Sequence, residues 1–114
     1  MKIISEKISL PELREMAAGM FGNLVKAVVD IERNIMAVDG ELHADEEKML
    51  LEDGSRQENL WGINVYPEMD RSGPDFVEFD SMINLRPRQK NLTRGIDNPD
   101  VREKILVIIG ELIS

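Results

Sequence analysis

The sequence predicts an α+β fold. The expected architecture is a two-layer sandwich, with an antiparallel meander of three to four strands covered on one face by the N- and C-terminal helices. Three observations point to it. Apolar residues recur at helical spacing near both ends, as Leu10, Leu13, Met16 and Met20 and again as Val101, Ile105, Ile108 and Leu112. Between them lie segments that alternate apolar and polar residues as half-buried strands do. The 114 residues suit a single domain over 1–114, long enough to close a core without metals or disulfides.

Lys2–Ile4 reads as a first short strand. A helix start follows: Ser9 is the cap, Glu12 closes a capping box, and Ile8 and Leu13 form a hydrophobic staple. Pro11 falls in the first turn, where its missing amide proton costs little, and Gly19 and Gly22 mark the end. From Leu24 to Glu32 the alternation sends Val25, Ala27, Val29 and Ile31 one way and Lys26, Val28, Asp30 and Glu32 the other. Arg33–Asn34 is expected as a tight turn into a strand over 35–38, closed by Asp39–Gly40. Residues 44–53 form a short helix stopped by Asp53–Gly54.

Leu60–Tyr66 is the clearest strand, with Trp61, Ile63 and Val65 on one side, Gly62, Asn64 and Tyr66 on the other, and Pro67 at its end. A loop through Asp70, Ser72, Gly73 and Pro74 leads to a last long strand, about 76–85. There Val77, Phe79, Ser81, Ile83 and Leu85 share one face, and Glu78, Asp80, Met82 and Asn84 the other. Residues 86–98 have no steady period and read as a loop. The closing helix starts at Asp97 or Asn98, with Pro99 at its first position.

Composition excludes several functions. With no cysteine there is no disulfide, thiolate metal site or cysteine nucleophile, and the cytoplasm is the expected location. No segment approaches the roughly 20 apolar residues of a membrane span, and the first residues lack the apolar run of a secretory signal. The net charge of −8 opposes nonspecific nucleic-acid binding. No phosphate loop, dinucleotide fingerprint, GxSxG elbow or HExxH motif is present, and no cofactor is required.

The charge is uneven. Ten acidic residues lie between Asp30 and Glu58, whereas Ser81–Ile96 holds Arg86, Arg88, Lys90 and Arg94 and no acid. The loop donors Arg86, Arg88, Gln89, Asn91 and Arg94 precede the positive end of the last helix and suit an anionic group. The competing reading is that they stitch the loop to the sheet. Asp30, Glu32, Asn64, Tyr66, Asp80 and Asn84 gather on the outer face of the sheet, where Asn64, Tyr66 and Asn84 are candidate ligand contacts. A solvated sheet face carries polar residues in any case. His43 is the only histidine. With Asp30 or Glu32 orienting it, it is a candidate general acid–base; with Asp45 it is a candidate metal ligand, and a hydrogen-bonded loop histidine is the simpler alternative.

Four segments in this order carry a resemblance: DGELHAD, LLEDGS, NLWGINVYP and INLRPRQKNLTR. Together they resemble an uncharacterised family of small bacterial and archaeal proteins over nearly the full chain. The resemblance implies no activity or cofactor; it directs attention to Asp30, Glu32, His43, Asp45, Asn59, Trp61, Asn64, Tyr66, Asn84, Arg86, Gln89, Asn91 and Arg94.

The leading expectation is a cytosolic binding domain for an anionic small molecule or a protein partner. The alternatives are a hydrolytic or phosphoryl-processing enzyme built on His43, and a self-associating protein that pairs through an uncovered strand edge at 35–38 as a homodimer.

Overall fold

The computed structural model describes residues 1–114 and is α+β, with an open antiparallel sheet of five strands and three helices. The strands are β1 (Lys2–Ile4), β2 (Val25–Asp30), β3 (Ile35–Val38), β4 (Leu60–Val65) and β5 (Val77–Glu78), in the spatial order β1-β3-β2-β4-β5. The helices are α1 (Leu10–Ala18), α2 (His43–Glu52) and α3 (Pro99–Leu112). Five strands replace the expected three to four because β1 folds back onto β3, placing Ile3 opposite Ala37. That pairing makes β3 an interior strand with neighbours on both sides, so 35–38 is not a free edge. No helix is long and apolar enough to cross a membrane.

Helix starts follow their local signals. Ser9 Oγ accepts from the Glu12 amide at 3.2 Å, and Ile8 and Leu13 are buried as a staple requires. Asn98 Oδ1 accepts from the Asp100 amide at 2.8 Å, with Pro99 opening α3. The two ends of the chain are tied together where the Ile8 amide donates to Leu112 O at 2.7 Å.

The β2–β3 connection is a four-residue turn, 31–34, rather than a two-residue one. Asp30 makes the difference: its Oδ1 accepts from the amides of Glu32 (2.9 Å) and Arg33 (3.0 Å), and Asn34 takes φ 57°.

The first face of the sheet packs Val25, Ala27, Val29, Met36, Val38, Trp61, Ile63 and Val65 against Leu13 and Ala17 of α1 and Ile105, Ile108, Ile109 and Leu112 of α3. These are the terminal helices the sequence placed there. The opposite face, expected to be wet, is covered as well. Val28, Ile35, Ala37 and Leu60 form a second core with Leu50 of α2, and Ile83 packs on it.

The strand expected over 76–85 stops at Glu78, and 82–84 form a 3-10 turn. The chain leaves the β4 edge and crosses onto the second face at Gly62. A Cβ on Gly62 would stand 2.6 Å from Ser81 Oγ and 3.2 Å from Ile83 Cγ1, so only glycine admits this crossing. Ser81 and Ile83 therefore lie on the opposite face from the one their alternation suggested.

Candidate functional site

The free edge of β4 is finished by side chains. In an antiparallel strand alternate residues direct their amide and carbonyl to the same edge. Asn64 is paired with Glu78 of β5, but Gly62 and Leu60 lie beyond the end of that strand. Asn84 Oδ1 accepts from the Gly62 amide and its Nδ2 donates to Gly62 O, both at 2.9 Å. Arg86 donates from Nη2 to Leu60 O, from Nη1 to Gln57 O (2.7 Å) and from Nε to Ile83 O (2.9 Å). Its guanidinium also stands 4.6 Å from the centre of the Trp61 ring and 3.7 Å from Glu47 Oε2, an ion pair too long for a hydrogen bond. Burial holds the Arg86 pKa below its ordinary value, opposed by Glu47 and Glu58, and burial raises that of Glu47.

The rest of the 86–94 loop bonds inward in the same way. Gln89 Nε2 donates to Glu58 O at 3.0 Å. Asn91 Nδ2 donates to Asn84 O (2.7 Å) and Gly95 O (2.8 Å), and its Oδ1 accepts from the Asp97 amide at 2.8 Å. Arg88 is exposed and makes no ion pair, and the N-terminus of α3 is already capped by Asn98. Arg86 thus holds the loop to β4, Gln89 and Asn91 tie it to Glu58 and to the neighbouring turn, and these donors do not converge with Arg88 on an open concavity.

His43, Asp30 and Glu32 do not form one constellation. His43 opens α2 and Nε2 lies 2.7 Å from Ile63 O. A carbonyl only accepts, so Nε2 carries the hydrogen and Nδ1 is left without a partner in the chain. Ile63 pairs with Ala27, three residues along β2 from Asp30, a separation of roughly 10 Å. Asp30 is fully buried in the hairpin turn, and Glu32 accepts from Asn59 across that turn. Asp45 is exposed on α2, and no three His, Asp or Glu side chains stand close enough to hold a metal ion.

A different group does converge. A cavity of about 180 Å³ is lined by Lys26 of β2, Leu42, His43 and Ala44 at the start of α2, Ser81 to Ile83 and Arg94. The start of α2 is uncapped: Leu42 offers no side-chain acceptor. The amides of Asp45 and Glu46 bond Leu42 O at 3.1 and 3.4 Å, whereas those of His43 and Ala44 have no acceptor. They are the positive end of the helix. Lys26 makes no ion pair; its ammonium lies 4.9 Å from the centre of the Phe21 ring. Arg94 is bonded to Asp80 Oδ1 at 2.7 Å. His43 is only 8% exposed and Ser81 1%, and the Ser81 hydroxyl accepts from the Ile83 amide while its proton has no acceptor in the chain.

Asn64 and Tyr66 are not among the residues that line this cavity. Both donate to Glu78 Oε1 at 2.9 Å, and Asn64 stands opposite Lys26 across the β2–β4 pair, with Oδ1 buried and unbonded. Burial, followed by the Glu78 carboxylate, raises the Tyr66 pKa. For His43, burial lowers the pKa; the Ile63 carbonyl opposes this, Lys26 and Arg94 add to it, and Asp80 counters them. One turn along α2, Glu46 is fully buried and its carboxyl is pushed up to about 9 by burial, against the 2.9 Å bond it accepts from the Gly40 amide. At neutral pH it is a neutral acid.

Three larger concavities contain none of these polar groups: two, about 410 and 690 Å³, lie on either side of α3, and one of about 470 Å³ lies beside α1. The groove beside Leu106 is half apolar, whereas that beside Val107, with Asp100, Glu103 and Glu111, and that beside α1, with Glu12, Glu15 and Asp39, are mainly acidic, so the chemistry rather than the volume locates an anion site.

Of the residues singled out from sequence, His43 and Arg94 line the cavity, while Asn64 and Tyr66 are bonded to Glu78. Lys26 and Ser81 were not singled out. One signal was available for the site: position 42, before a run of helix formers, carries Leu instead of a capping residue. Neither a curated protein nor a solved structure matches the chain. Residues 2–112 of the 114 match the family described as "Protein of unknown function (DUF5674)", and the chain belongs to that family.

Proposed function

We propose that this is a binding domain for an anionic small molecule, seated in the cavity at the N-terminus of α2. One observation carries the reading. Four separate segments of a chain with net charge −8 bring Lys26, two free helix amides, Ser81 and Arg94 to one small cavity. Unbonded amides at a helix start favour negative charge, and an unpaired lysine beside them adds to it. This reading moves the anion from the 86–94 loop, where Arg86, Gln89 and Asn91 are bonded to backbone carbonyls and Arg88 stands exposed, to α2. It is preferred over acid–base catalysis because His43 has no carboxylate orienting it, and over edge-to-edge pairing because β1 and β5, the edge strands, are three and two residues long. The same proposal puts the domain in the cytoplasm, the compartment suited to a cysteine-free chain.

An amide-resolved NMR titration with inorganic phosphate and with acetate at constant ionic strength tests this. Saturable shifts centred on His43, Ala44 and Ser81 are expected, and Lys26→Gln should weaken them severalfold. Shifts that grow linearly, or that lie elsewhere, would remove the proposal.

A further inference from the structure

We infer that the ligand class of this site is a monocarboxylate with a short apolar body. The inference rests on the anion-binding reading above and narrows it by charge, rim and size.

Charge comes first. The site offers one cation without an ion pair, Lys26, whose ammonium lies over the Phe21 ring at 4.9 Å; Arg94 is already bonded to Asp80 at 2.7 Å. A single negative charge is matched by Lys26 and the start of α2; a dianion such as phosphate brings its second charge toward Asp80, the carboxylate bonded to Arg94 and acting on His43. The donors are the amides of His43 and Ala44 and the proton of Ser81, enough for the two oxygens of one carboxylate. These are not surface groups alone: His43 and Ser81 are both more than nine-tenths buried where they line the cavity.

The rim is the second element. Leu42 is 56% exposed and Met82 62%, on opposite segments that line the same cavity, with Ile83 between them and the sheet. Large apolar side chains at the mouth of a polar cavity suit a ligand whose head is charged and whose remainder is not. Size is the third. At about 180 Å³ the cavity holds roughly six water volumes of about 30 Å³ each, below the roughly 300–1,000 Å³ typical of drug-sized ligands. A short aliphatic acid fits; a nucleotide does not.

The test is a chain-length series, acetate, propionate, butyrate and hexanoate, against inorganic phosphate, read by amide shifts on the full chain at constant ionic strength. Affinity should rise with each methylene, by up to about fourfold per group, until the cavity is filled. Met82→Ser, a change at an exposed side chain of the rim, should flatten this dependence, the longer acids losing more affinity than acetate. Phosphate binding as tightly as the best acid, or affinity independent of chain length, would overturn the carboxylate class and leave the anion site standing. No saturable shift at His43, Ala44 or Ser81 with any of these ions would remove the anion site and the carboxylate class with it.

Discussion

The Asn84 side chain stands where the backbone of a neighbouring strand would stand for Gly62: it accepts from the Gly62 amide and donates to the Gly62 carbonyl, both at 2.9 Å. The same Nδ2 donates to Arg94 O at 3.0 Å, so one amide joins β4, the 82–84 turn and the loop that presents Arg94. Because Asn84 is fully buried, water cannot replace these bonds. Asn84→Ala should cost about 2–4 kcal/mol, the penalty for leaving two or three buried backbone groups unpaired. Urea unfolding measures it, and a loss under about 0.5 kcal/mol would show that the edge closes without this side chain. Asn84→Asp should fare no better, since its second oxygen would face Gly62 O and Arg94 O.

Arg86 is predicted to be a residue of the fold and not of the ligand site. Its bonds to Gln57, Leu60 and Ile83 carbonyls use the full guanidinium fork, with the Trp61 ring beneath. Lysine keeps the charge but cannot reach three acceptors in one plane. Arg86→Lys should therefore lower stability by about 2 kcal/mol while leaving the acetate titration of the α2 site unchanged. A variant with ordinary stability and lost anion binding would reverse that assignment and return the anion to the 86–94 loop.

What the sequence made legible was local. The Ser9 cap, the Asn98–Pro99 start and the strand over Leu60–Val65 are each set by neighbours a few residues away, and each stands as expected, although Glu12 bonds the Ser9 hydroxyl and not its amide. The alternation from Val77 to Leu85 looked equally regular, yet pairing ends at Glu78 because side chains take over the edge of β4 from 22 residues away. Nothing in the spacing of Glu78, Asp80, Met82 and Asn84 encodes that exchange. The second face misled for another reason: the buried side of α2 carries His43 and Glu46 beside Leu50, so it read as wet. Lys26, taken for an ordinary polar alternation, became a site residue only once that helix covered the sheet.

Glu46 gives a pH dependence of definite sign. The folded state raises its carboxyl from 4.5 to about 9, so between those values the native chain holds a proton that the unfolded chain has released. Stability contributed at this group therefore falls as pH rises from about 4.5 to about 9 and is level above that. Glu46→Gln keeps an oxygen for the Gly40 amide and has no charge to bury. Urea unfolding at pH 5 and pH 8 should show the variant gaining on the parent by a few kcal/mol across that interval. An unchanged difference between the two proteins would mean that Glu46 ionises in the fold without cost.

His43 couples the proposed ligand to protons. Its Nε2 hydrogen is committed to Ile63 O whether the ring is neutral or charged, so any added proton goes to Nδ1, the nitrogen with no partner in the chain. Without ligand, burial, Lys26 and Arg94 hold the ring neutral; the Ile63 carbonyl and Asp80 pull the other way, and Glu46, one turn along α2, is an uncharged acid. The unfolded chain then takes up a proton near pH 6.5 before the folded one does, so stability contributed by His43 is lost as pH falls through the interval below 6.5. A carboxylate in the cavity reverses the bias at Nδ1 by giving the imidazolium an acceptor. The His43 ring signal, followed by NMR from pH 4 to pH 8, should titrate at a higher pH with butyrate than without it. By linkage, butyrate should bind more tightly as pH falls, up to about tenfold per unit between the two midpoints. Identical midpoints would place the carboxylate beyond reach of Nδ1, with the two α2 amides and Lys26 as its only charge partners.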